Sequence, residues 1–344
     1  MTTAFVYAPA LDHNEEGHPE NNQRGPAVEE ALKKHDVWEQ LIHLQPREAT
    51  YEELVAAHDY RVIDHVQEIS LRGGGRIDQD TYVTAESYSL ASLAAGSVIV
   101  TADAIMAGKA KNGFTLVRPP GHHAESQRPG GFCLFNNVAV GARHLQAKYP
   151  DINKVLILDF DVHHGNGTQD IFYHDHTVYF LSIQQCDGFI YPGSGTLGEI
   201  GLGNGKHYTL NVPLPAGVGN DGYAAIFAEI VAPAVRRFDP DFIIVSAGYD
   251  AHWVDPLAST LVSAEGFSRM SHTLVQLAEE LCHGRILFVQ EGGYVLPALA
   301  YGVLNTVYAL QGEMMCLDPL GPNDQPETDI TKLLADIKAL HLIK

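Results

Sequence analysis

The chain has 344 residues, with 22 Lys and Arg against 42 Asp and Glu, so its net charge is −20 when histidine is neutral. This acidic excess argues against nucleic acid as a partner, because a phosphate-binding surface needs a surplus of basic side chains. Hydrophobic residues make up 45% of the chain and charged residues 19%, which excludes a disordered protein and indicates a large buried core.

Short apolar runs rich in β-branched residues alternate along the chain with longer helical patterns. Strands are predicted, in chain order, at residues 113–119, 154–160, 177–183, 206–214, 241–250 and 285–294. Helices are predicted at residues 87–108, 137–148, 222–237, 264–281 and 297–310. Strands that alternate with helices predict an α/β fold with a parallel sheet and helices on both of its faces.

A Pro-rich break at residues 318–326 separates a final amphipathic segment, residues 330–342, from the rest. We interpret residues 1–344 as one domain, with 318–344 as a C-terminal extension that carries an appended helix. The longest apolar stretch, residues 87–107, is interrupted by polar side chains, so no membrane span or membrane partner is expected. Four widely spaced cysteines and no secretion signal at the N-terminus favour a cytoplasmic protein.

The segment "LDFDVHHGNGTQD", residues 158–170, follows a predicted strand and is rich in polar side chains. Strand alternation would place Asp159, Asp161 and His163 on one side. Two carboxylates beside an imidazole call for a cation among them, so the segment predicts a metal site. The competing interpretation is a polar turn whose hydrogen bonds are all satisfied.

A second source of metal ligands is "SAGYDAHWVDP", in which Asp250 follows the apolar run of another strand. Asp161, His163 and Asp250 together would leave a divalent ion one open position, as in a catalytic zinc site. By itself Asp250 could equally be a helix cap or a turn residue. His252 is a weaker candidate, as a ligand or at the rim.

Two adjacent histidines, His122 and His123, stand in "RPPGHHAE". The two prolines stiffen the loop and Gly121 permits close backbone approach, so the rings can be held side by side. Neighbouring imidazoles repel when both are protonated, which separates their pKa values and yields a proton acceptor beside a proton donor. A lone histidine is more often structural, so this prediction depends on the neighbouring clusters.

The motif "EGGYV" places Tyr294 after a predicted strand and two glycines. Gly292 and Gly293 would let the chain fold close over a ligand, and the Tyr294 hydroxyl could then donate a hydrogen bond to a developing oxyanion. Core packing is the ordinary role of a tyrosine at such a position.

Taken together, these motifs resemble the zinc-dependent histone deacetylases and their acetylpolyamine amidohydrolase relatives. The matching segments are "HPENNQRG", "RPPGHHAE", "GGFCLFNN", "DFDVHHGNGTQDIFY", "YPGSG", "NVPLP", "SAGYDAHWVDPL" and "QEGGY", in the family's order from about residue 18 to residue 310. The resemblance implies a three-layer α/β/α arginase/deacetylase fold with an eight-stranded parallel sheet. It also implies one Zn²⁺, or Fe²⁺, held by Asp161, His163 and Asp250.

For catalysis, the resemblance implies that His122 is backed by Asp159 and that His123 leans on Asn166, a class II-like choice where class I enzymes have Asp. Tyr294 matches the tyrosine that stabilises the transition state. For substrate binding it implies two aromatic tunnel walls, an arginine of the inner channel, two glycines and a residue at the tunnel mouth: Phe132, Tyr191, Arg24, Gly131, Gly293 and Leu257.

Structural potassium is a further implication of the resemblance. The first K⁺ site corresponds to Asp159, Asp161, His163, Ser182 and Ile183. The second corresponds to Phe172, Asp175, Val178 and Tyr208.

The function that these residues predict is hydrolysis of an N-acetylated amine to acetate and free amine. In the polyamine-selective relatives the position that matches Leu257 is a Glu, whereas Leu257 offers no counter-charge to a polyamine ammonium, so the resemblance favours acetyl-lysine in proteins or peptides. The alternatives are acetylpolyamine and another small acylated amine. Two alternatives belong to other classes: a catalytically silent acyl-lysine binding module, and a nucleotide-dependent oxidoreductase suggested by the G-x-G-x-x-G pattern at residues 193–198. A homo-oligomer is possible, and which histidine acts as the base is open, with His123 preferred.

Overall fold

An eight-stranded sheet forms the centre of the computed structural model, which describes residues 2–343. The strands in chain order are β1 (Thr3–Ala8), β2 (Ile42–His43), β3 (Gly74–Arg76), β4 (Tyr82–Thr84), β5 (Asn112–Val117), β6 (Val155–Asp159), β7 (Val178–Gln185), β8 (Thr209–Leu214), β9 (Phe242–Ala247) and β10 (Ile286–Gln290). The central sheet has the order β2-β1-β5-β10-β9-β6-β7-β8, and all its neighbouring strands are parallel. Strands β3 and β4 form a separate antiparallel pair.

Helices cover both faces of this sheet. They are α1 (Arg24–Lys34), α2 (Tyr51–Val55), α3 (Tyr60–Leu71), α4 (Ser87–Met106), α5 (Asn137–Lys148), α6 (Asn166–Phe172), α7 (Asn220–Ile226), α8 (Ala232–Phe238), α9 (Ala264–Cys282), α10 (Leu296–Gln311) and α11 (Thr331–His341). Side chains of β10 alternate between two hydrophobic cores, with Phe288 in one and Leu287 and Val289 in the other. The predicted three-layer α/β/α fold with an eight-stranded parallel sheet is confirmed.

The six strands predicted from periodicity correspond to β5 through β10, but several predicted ends are too late. Strand β9 ends at Ala247 and β10 at Gln290, because the polar residues that follow turn out of the sheet. The prediction missed β1, β2 and the β3–β4 pair. Strands β2, β3 and β4 have only two or three residues each, which is too short for a periodic signal.

The helix predicted at residues 222–237 contains an irregular turn. A π-helical segment, Phe227–Val231, separates α7 from α8. Pro233 stands at the start of α8, has no N–H to donate and clashes with the carbonyl four residues before it, so a widened turn is the expected accommodation.

Helix α4 is long and apolar enough to cross a membrane when judged by length and composition alone. In the structure it packs on β1, β5 and α5, and 67% of its most apolar window is buried. A buried core helix passes the same test as a membrane span, so this feature is weak evidence for a span.

The four central strands of the sheet are β5, β10, β9 and β6, side by side in that order. Their register aligns Asp159 with Ser246 and Gln290 with Ala247, so their carboxyl ends lie level with one another. The loops that follow them carry the tandem histidines, Tyr294, Asp250 and the Asp161–His163 pair. Strand order therefore brings segments that are distant in the chain to one edge of the sheet.

Candidate active site

Asp161, His163 and Asp250 lie together at this edge, and all three are buried. One ligand atom from each residue lies within 4.8 Å of the others. The His163 Nδ1 atom is 3.1 Å from Asp161 Oδ1 and 3.1 Å from Asp250 Oδ2. Burial lowers the pKa of His163, but the two carboxylates outweigh burial and raise it to about 10, so the cluster favours a positive charge at this point.

Two glycines leave room for these carboxylates. A Cβ atom on Gly248 would lie 2.0 Å from Asp161 Oδ2, and a Cβ atom on Gly292 would lie 2.1 Å from Asp250 Oδ2. The Gly292 N–H also donates to Asp161 Oδ2 at 2.8 Å. The donor set of one imidazole and two carboxylates suits a divalent transition metal, so these residues fit the zinc or ferrous ion that the motifs imply.

Asp161 and His163 lie beyond the end of β6, so the strand alternation used to group them is wrong. They converge because the loop after β6 turns back on itself: the His163 N–H donates to Asp161 Oδ1 at 2.9 Å. Asp159, the last residue of β6, points to a different partner. Its Oδ2 lies 2.9 Å from His122 Nδ1, which places it behind that histidine.

His122 stands between two carboxylates. Burial lowers its pKa, but the charges of Asp159 and Asp161 outweigh burial and raise the pKa to about 10. The His122 Nε2 atom is 3.9 Å from Asp161 Oδ2. This environment favours the protonated, positively charged imidazole.

His123 has the opposite environment, although its ring centroid is only 3.9 Å from that of His122. Its Nδ1 lies 2.8 Å from Asn166 Oδ1, and the Asn166 amide donates to Glu125 Oε1 at 2.8 Å. Burial, then the charges of His122 and His163, lower the pKa of His123 well below its usual value. His123 is therefore neutral beside a charged neighbour, the split that the adjacent pair predicts.

A buried glutamate that the motif analysis did not single out, Glu291, positions the histidine loop. Its Oε2 accepts from the Gly121 N–H at 2.6 Å and from the His122 N–H at 3.2 Å, and its Oε1 accepts from Ser246 at 3.2 Å. Burial raises the Glu291 pKa to about 7. Its position within "QEGGY" was visible in the sequence, but its partner lies 170 residues away.

Arg24 is buried behind Tyr294, with its guanidinium carbon 5.1 Å from the centre of that ring. Its Nε donates to the main-chain oxygen of Gly293 at 2.9 Å, and its Nη1 donates to Glu20 Oε1 at 3.0 Å. Glu20 also accepts from Arg118 at 2.8 Å. Burial raises the pKa of Glu20, but the two arginines outweigh burial and lower it to about 2. Glu20 and Arg118 were not predicted as site residues.

His163 of the metal-ligand cluster lines a cavity of about 240 Å³. Ten residues line it: Asp80, His123, Gly131, Phe132, His163, Phe189, Ile190, Tyr191, Leu257 and Tyr294. Asp80, Phe189 and Ile190 were missed. Phe189 is 96% exposed, and no local pattern distinguishes such a loop side chain from any other surface residue.

Phe132 and Tyr191 both flank the cavity. The Phe132 ring packs edge-on against Tyr294 at 5.8 Å between centroids, and the Tyr191 ring packs edge-on against His123 at 4.9 Å. Gly131 has a φ of +56°, and a Cβ there would lie 2.6 Å from the His123 ring. Burial raises the pKa of Tyr294 well above its usual value, so its hydroxyl remains protonated.

His252 is buried but is not part of the metal-ligand cluster. Its Nδ1 accepts from the Val254 N–H at 3.3 Å. The main-chain N–H of Trp253, the next residue, donates to the Val262 oxygen, and the His252 ring packs on Phe267 of α9. The histidine therefore belongs to a turn that packs on α9.

The residues predicted to hold potassium fall into two groups. Ser182 and Ile183 lie in β7, next to Asp159 of β6, and the buried Ser182 hydroxyl has no hydrogen-bond partner among residues 2–343. Phe172, Asp175, Val178 and Tyr208 lie in adjoining segments, where the Phe180 N–H donates to the Tyr208 oxygen at 2.9 Å. An orphaned hydroxyl beside a carboxylate is the environment that a cation would complete.

Comparison with known proteins identifies the family of this chain. Residues 18–310 match the histone deacetylase domain family. Histone deacetylase 10, chloroplastic, of Oryza sativa subsp. japonica is 39% identical over 98% of this chain and 80% of its own length. A probable deacetylase of Archaeoglobus fulgidus is 38% identical over 91% of this chain and 87% of its own length.

Among solved structures, the HD domain of HDA15 superposes with a TM-score of 0.91 at 36% identity, covering 99% of this chain and 94% of that chain. The fold and site are those of a metal-dependent amide hydrolase of the arginase/deacetylase type. The chain belongs to the histone deacetylase family, and membership supports a deacetylase that acts on acetylated substrates.

Proposed function

We propose that this chain hydrolyses the acetamide of acetyl-lysine in peptides or proteins, using a single Zn²⁺ held by Asp161, His163 and Asp250. The observation that carries the proposal is a shared cavity: the ligand His163 opens to the same aromatic-walled space as His123 and Tyr294. A metal bound there would supply Lewis acidity toward water and an amide carbonyl. Ferrous iron suits the same donors.

His123 is the proposed general base. The Asn166 Oδ1 atom can only accept, so His123 carries its proton on Nδ1, and its Nε2 is left with a free lone pair. The neutral ring takes a proton from water as the oxygen adds to the acetyl carbon. The same proton passes to the amine nitrogen as the C–N bond breaks, which releases acetate and the free amine.

The charged His122 keeps its neighbour neutral before reaction, because two protonated rings at 3.9 Å would repel. The protonated Tyr294 hydroxyl faces the same cavity and would donate to the oxygen of the tetrahedral intermediate. Arg24 acts behind it as a positioning residue, since it binds the Gly293 oxygen next to Tyr294.

The cavity walls suit a long apolar substituent. Phe132 and Tyr191 offer aromatic faces to a thin methylene chain, and Gly131 keeps His123 accessible because any side chain there would meet the ring. A lysine side chain has the required shape, with four methylene groups between its backbone and the acetylated nitrogen.

Substrate choice depends on two residues of the same cavity. Leu257 adds an apolar side chain and no charge, which favours acetyl-lysine. Asp80 adds a carboxylate, and this observation favours acetylpolyamine as a second candidate substrate. Asp80 is close to Asp78, and burial and that neighbour raise its pKa, which weakens its attraction for a cation.

The test is a comparison of kcat/KM for an acetyl-lysine peptide and for acetylspermidine, on protein reconstituted with zinc or with ferrous iron. A higher value for the peptide supports the proposal, and a preference for acetylspermidine overturns the substrate assignment. A silent acyl-lysine reader would bind the peptide without releasing acetate. Turnover that disappears in Tyr294→Phe, with binding retained, rejects that reader.

Potassium next to the catalytic metal is also proposed, supported by the orphaned Ser182 hydroxyl. Removal of K⁺ would then lower thermal stability, whereas Ser182→Ala would reduce that dependence.

All four cysteines are free, which supports a reducing compartment such as the cytoplasm. Fractionation of cells would test that location, and sedimentation of the purified chain would test for a homo-oligomer.

A further inference from the structure

A second and larger cavity, of about 830 Å³, opens at the opposite edge of the sheet. Three of its residues directly precede strands: Lys154 before β6, Thr177 before β7 and Tyr208 before β8. Arg237 near the end of α8 and His341 at the end of α11 complete it. We term this cavity the amino-edge pocket. The proposed active site follows the carboxyl ends of the strands, so the sheet separates the two.

The amino-edge pocket is positively charged within a chain of net charge −20. Its lining contains Lys154, Lys206, Arg237 and three histidines, and no aspartate or glutamate. The Lys154 ammonium lies 3.4 Å from Asp239 Oδ2, and the Lys154 main-chain N–H donates to Asp241 Oδ2 at 2.8 Å. The Arg237 guanidinium donates to the main-chain oxygens of His341, at 2.6 Å, and Leu342, at 3.4 Å, and it lies beside the Tyr179 hydroxyl, so no carboxylate of the described residues pairs with its charge.

Two buried polar side chains of this lining have an N–H or O–H without an acceptor in the part of the chain that the structure describes. His341 is 4% exposed, and neither of its ring nitrogens is bonded to any described residue. The buried Tyr179 hydroxyl lies beside the donor Arg237, and its O–H has no acceptor among the described residues. Burial, then His207 and Arg237, lower the pKa of His341 to about 4, so the ring is neutral and keeps an N–H without an acceptor. Such donors are costly unless something completes them.

The pocket also presents flat apolar surface. Tyr208 and Phe238 line it, with ring centroids 6.1 Å apart, and Leu342 adds an exposed aliphatic side chain. A volume of this size matches a drug-sized or nucleotide-sized molecule. Cations and unpaired donors suit phosphate oxygens, whereas the rings suit a planar group.

We propose that the amino-edge pocket binds a small organic phosphate that carries a planar ring, in the size range of a nucleoside diphosphate. Arg237, Lys206 and Lys154 neutralise the phosphates, and His341 and Tyr179 belong to the same lining. This site is separate from deacetylation and does not rest on the proposed function.

The test is calorimetric titration of the full chain, at fixed ionic strength, with ADP, inorganic phosphate and adenosine as three separate probes. Binding of ADP with Kd below about 1 mM, weaker binding of phosphate and none of adenosine is the expected result. Phosphate that binds as tightly as ADP would reject the planar ring, and no binding of ADP or phosphate would reject the site.

Variants locate the site. Lys206→Gln and Arg237→Gln should each weaken ADP binding about tenfold or more, since each removes a charge-assisted contact. The matched control is Arg236→Gln, which removes the same charge one residue away, where the side chain pairs with Glu280 at 2.8 Å outside the pocket. Equal weakening in all three would show general charge attraction and overturn the proposal. Lys206 is exposed, so its variant remains informative if Arg237→Gln unfolds.

Discussion

The two edges of the sheet differ in how their charged side chains are paired. At the carboxyl edge, buried carboxylates are matched by cationic or N–H partners, as Glu20 is by Arg24 and Arg118. At the amino edge, cationic side chains surround a cavity, and the His341 ring nitrogens make no hydrogen bond to a described residue. A site that must hold reacting groups in one geometry needs its buried charges to be paired. A site that binds a ligand can leave hydrogen-bond donors without acceptors until the ligand binds.

The largest expected effect is at the metal ligands. Asp250→Ala, Asp161→Ala and His163→Ala should each remove bound metal and all measurable turnover, because a three-ligand site does not survive loss of one ligand. Elemental analysis and peptide turnover, measured together, check this. Asp221→Ala, at a carboxylate whose side chain is 92% exposed, is the control that should change neither. A full metal content in Asp250→Ala would contradict the ligand assignment.

Tyr294→Phe tests the reaction without disturbing the metal. We expect kcat to fall by about 10²–10³-fold, the usual cost of one oxyanion donor, with little change in KM. Steady-state kinetics and metal analysis would show it. Tyr301→Phe, which removes a hydroxyl that accepts from the Lys34 ammonium at 3.4 Å, is the matched control. Near-normal kcat in Tyr294→Phe would mean that the side chain only packs.

Substitutions at the two edges should differ in their effect on the free energy of unfolding. Glu20→Gln leaves two buried guanidinium groups without their counter-charge and should lower the free energy of unfolding by roughly 3 kcal/mol. Lys206→Gln removes an exposed charge and should change it by less than about 0.5 kcal/mol. Denaturant unfolding of both variants measures the difference. Comparable losses would show that the contrast between the edges is wrong.

Gly248→Ala tests whether the room around Asp161 matters. Its Cβ would lie 2.0 Å from Asp161 Oδ2, so the carboxylate must move, and metal affinity should fall by about 10–100-fold. Competition with a chelator measures the affinity. A Cβ on Gly198 would meet nothing within 4 Å, so Gly198→Ala should bind metal normally. Unchanged affinity in Gly248→Ala would exclude a steric role.

The smallest expected effect concerns substrate choice. Leu257→Glu should shift the kcat/KM ratio toward acetylspermidine by roughly fivefold, as a partly exposed carboxylate attracts a substrate ammonium. Leu257→Gln, similar in size but uncharged, serves as the control. A ratio that moves equally in both variants would assign the effect to shape.

Part of this organisation follows from local sequence pattern. The strand cores of β5 through β10 and the final helix could be predicted because hydrophobic periodicity is a property of neighbouring residues. The polar motifs after four strands were recognisable for the same reason, and all four meet at one edge. Strand β1 was missed although its six residues are mostly apolar. A single short apolar run near the terminus does not belong to the alternation of strands and helices that revealed the other strands.

By itself, then, the sequence determined which residue types follow which strands, and the family motifs they compose. Tertiary structure alone decided the strand order, the pairing of Glu20 with Arg118 across 98 residues, and the anchoring of the histidine loop by Glu291. It also decided that Lys154, Arg237 and His341 would share a cavity. Local pattern acts over a few residues, whereas these contacts join segments that only the packed sheet brings together.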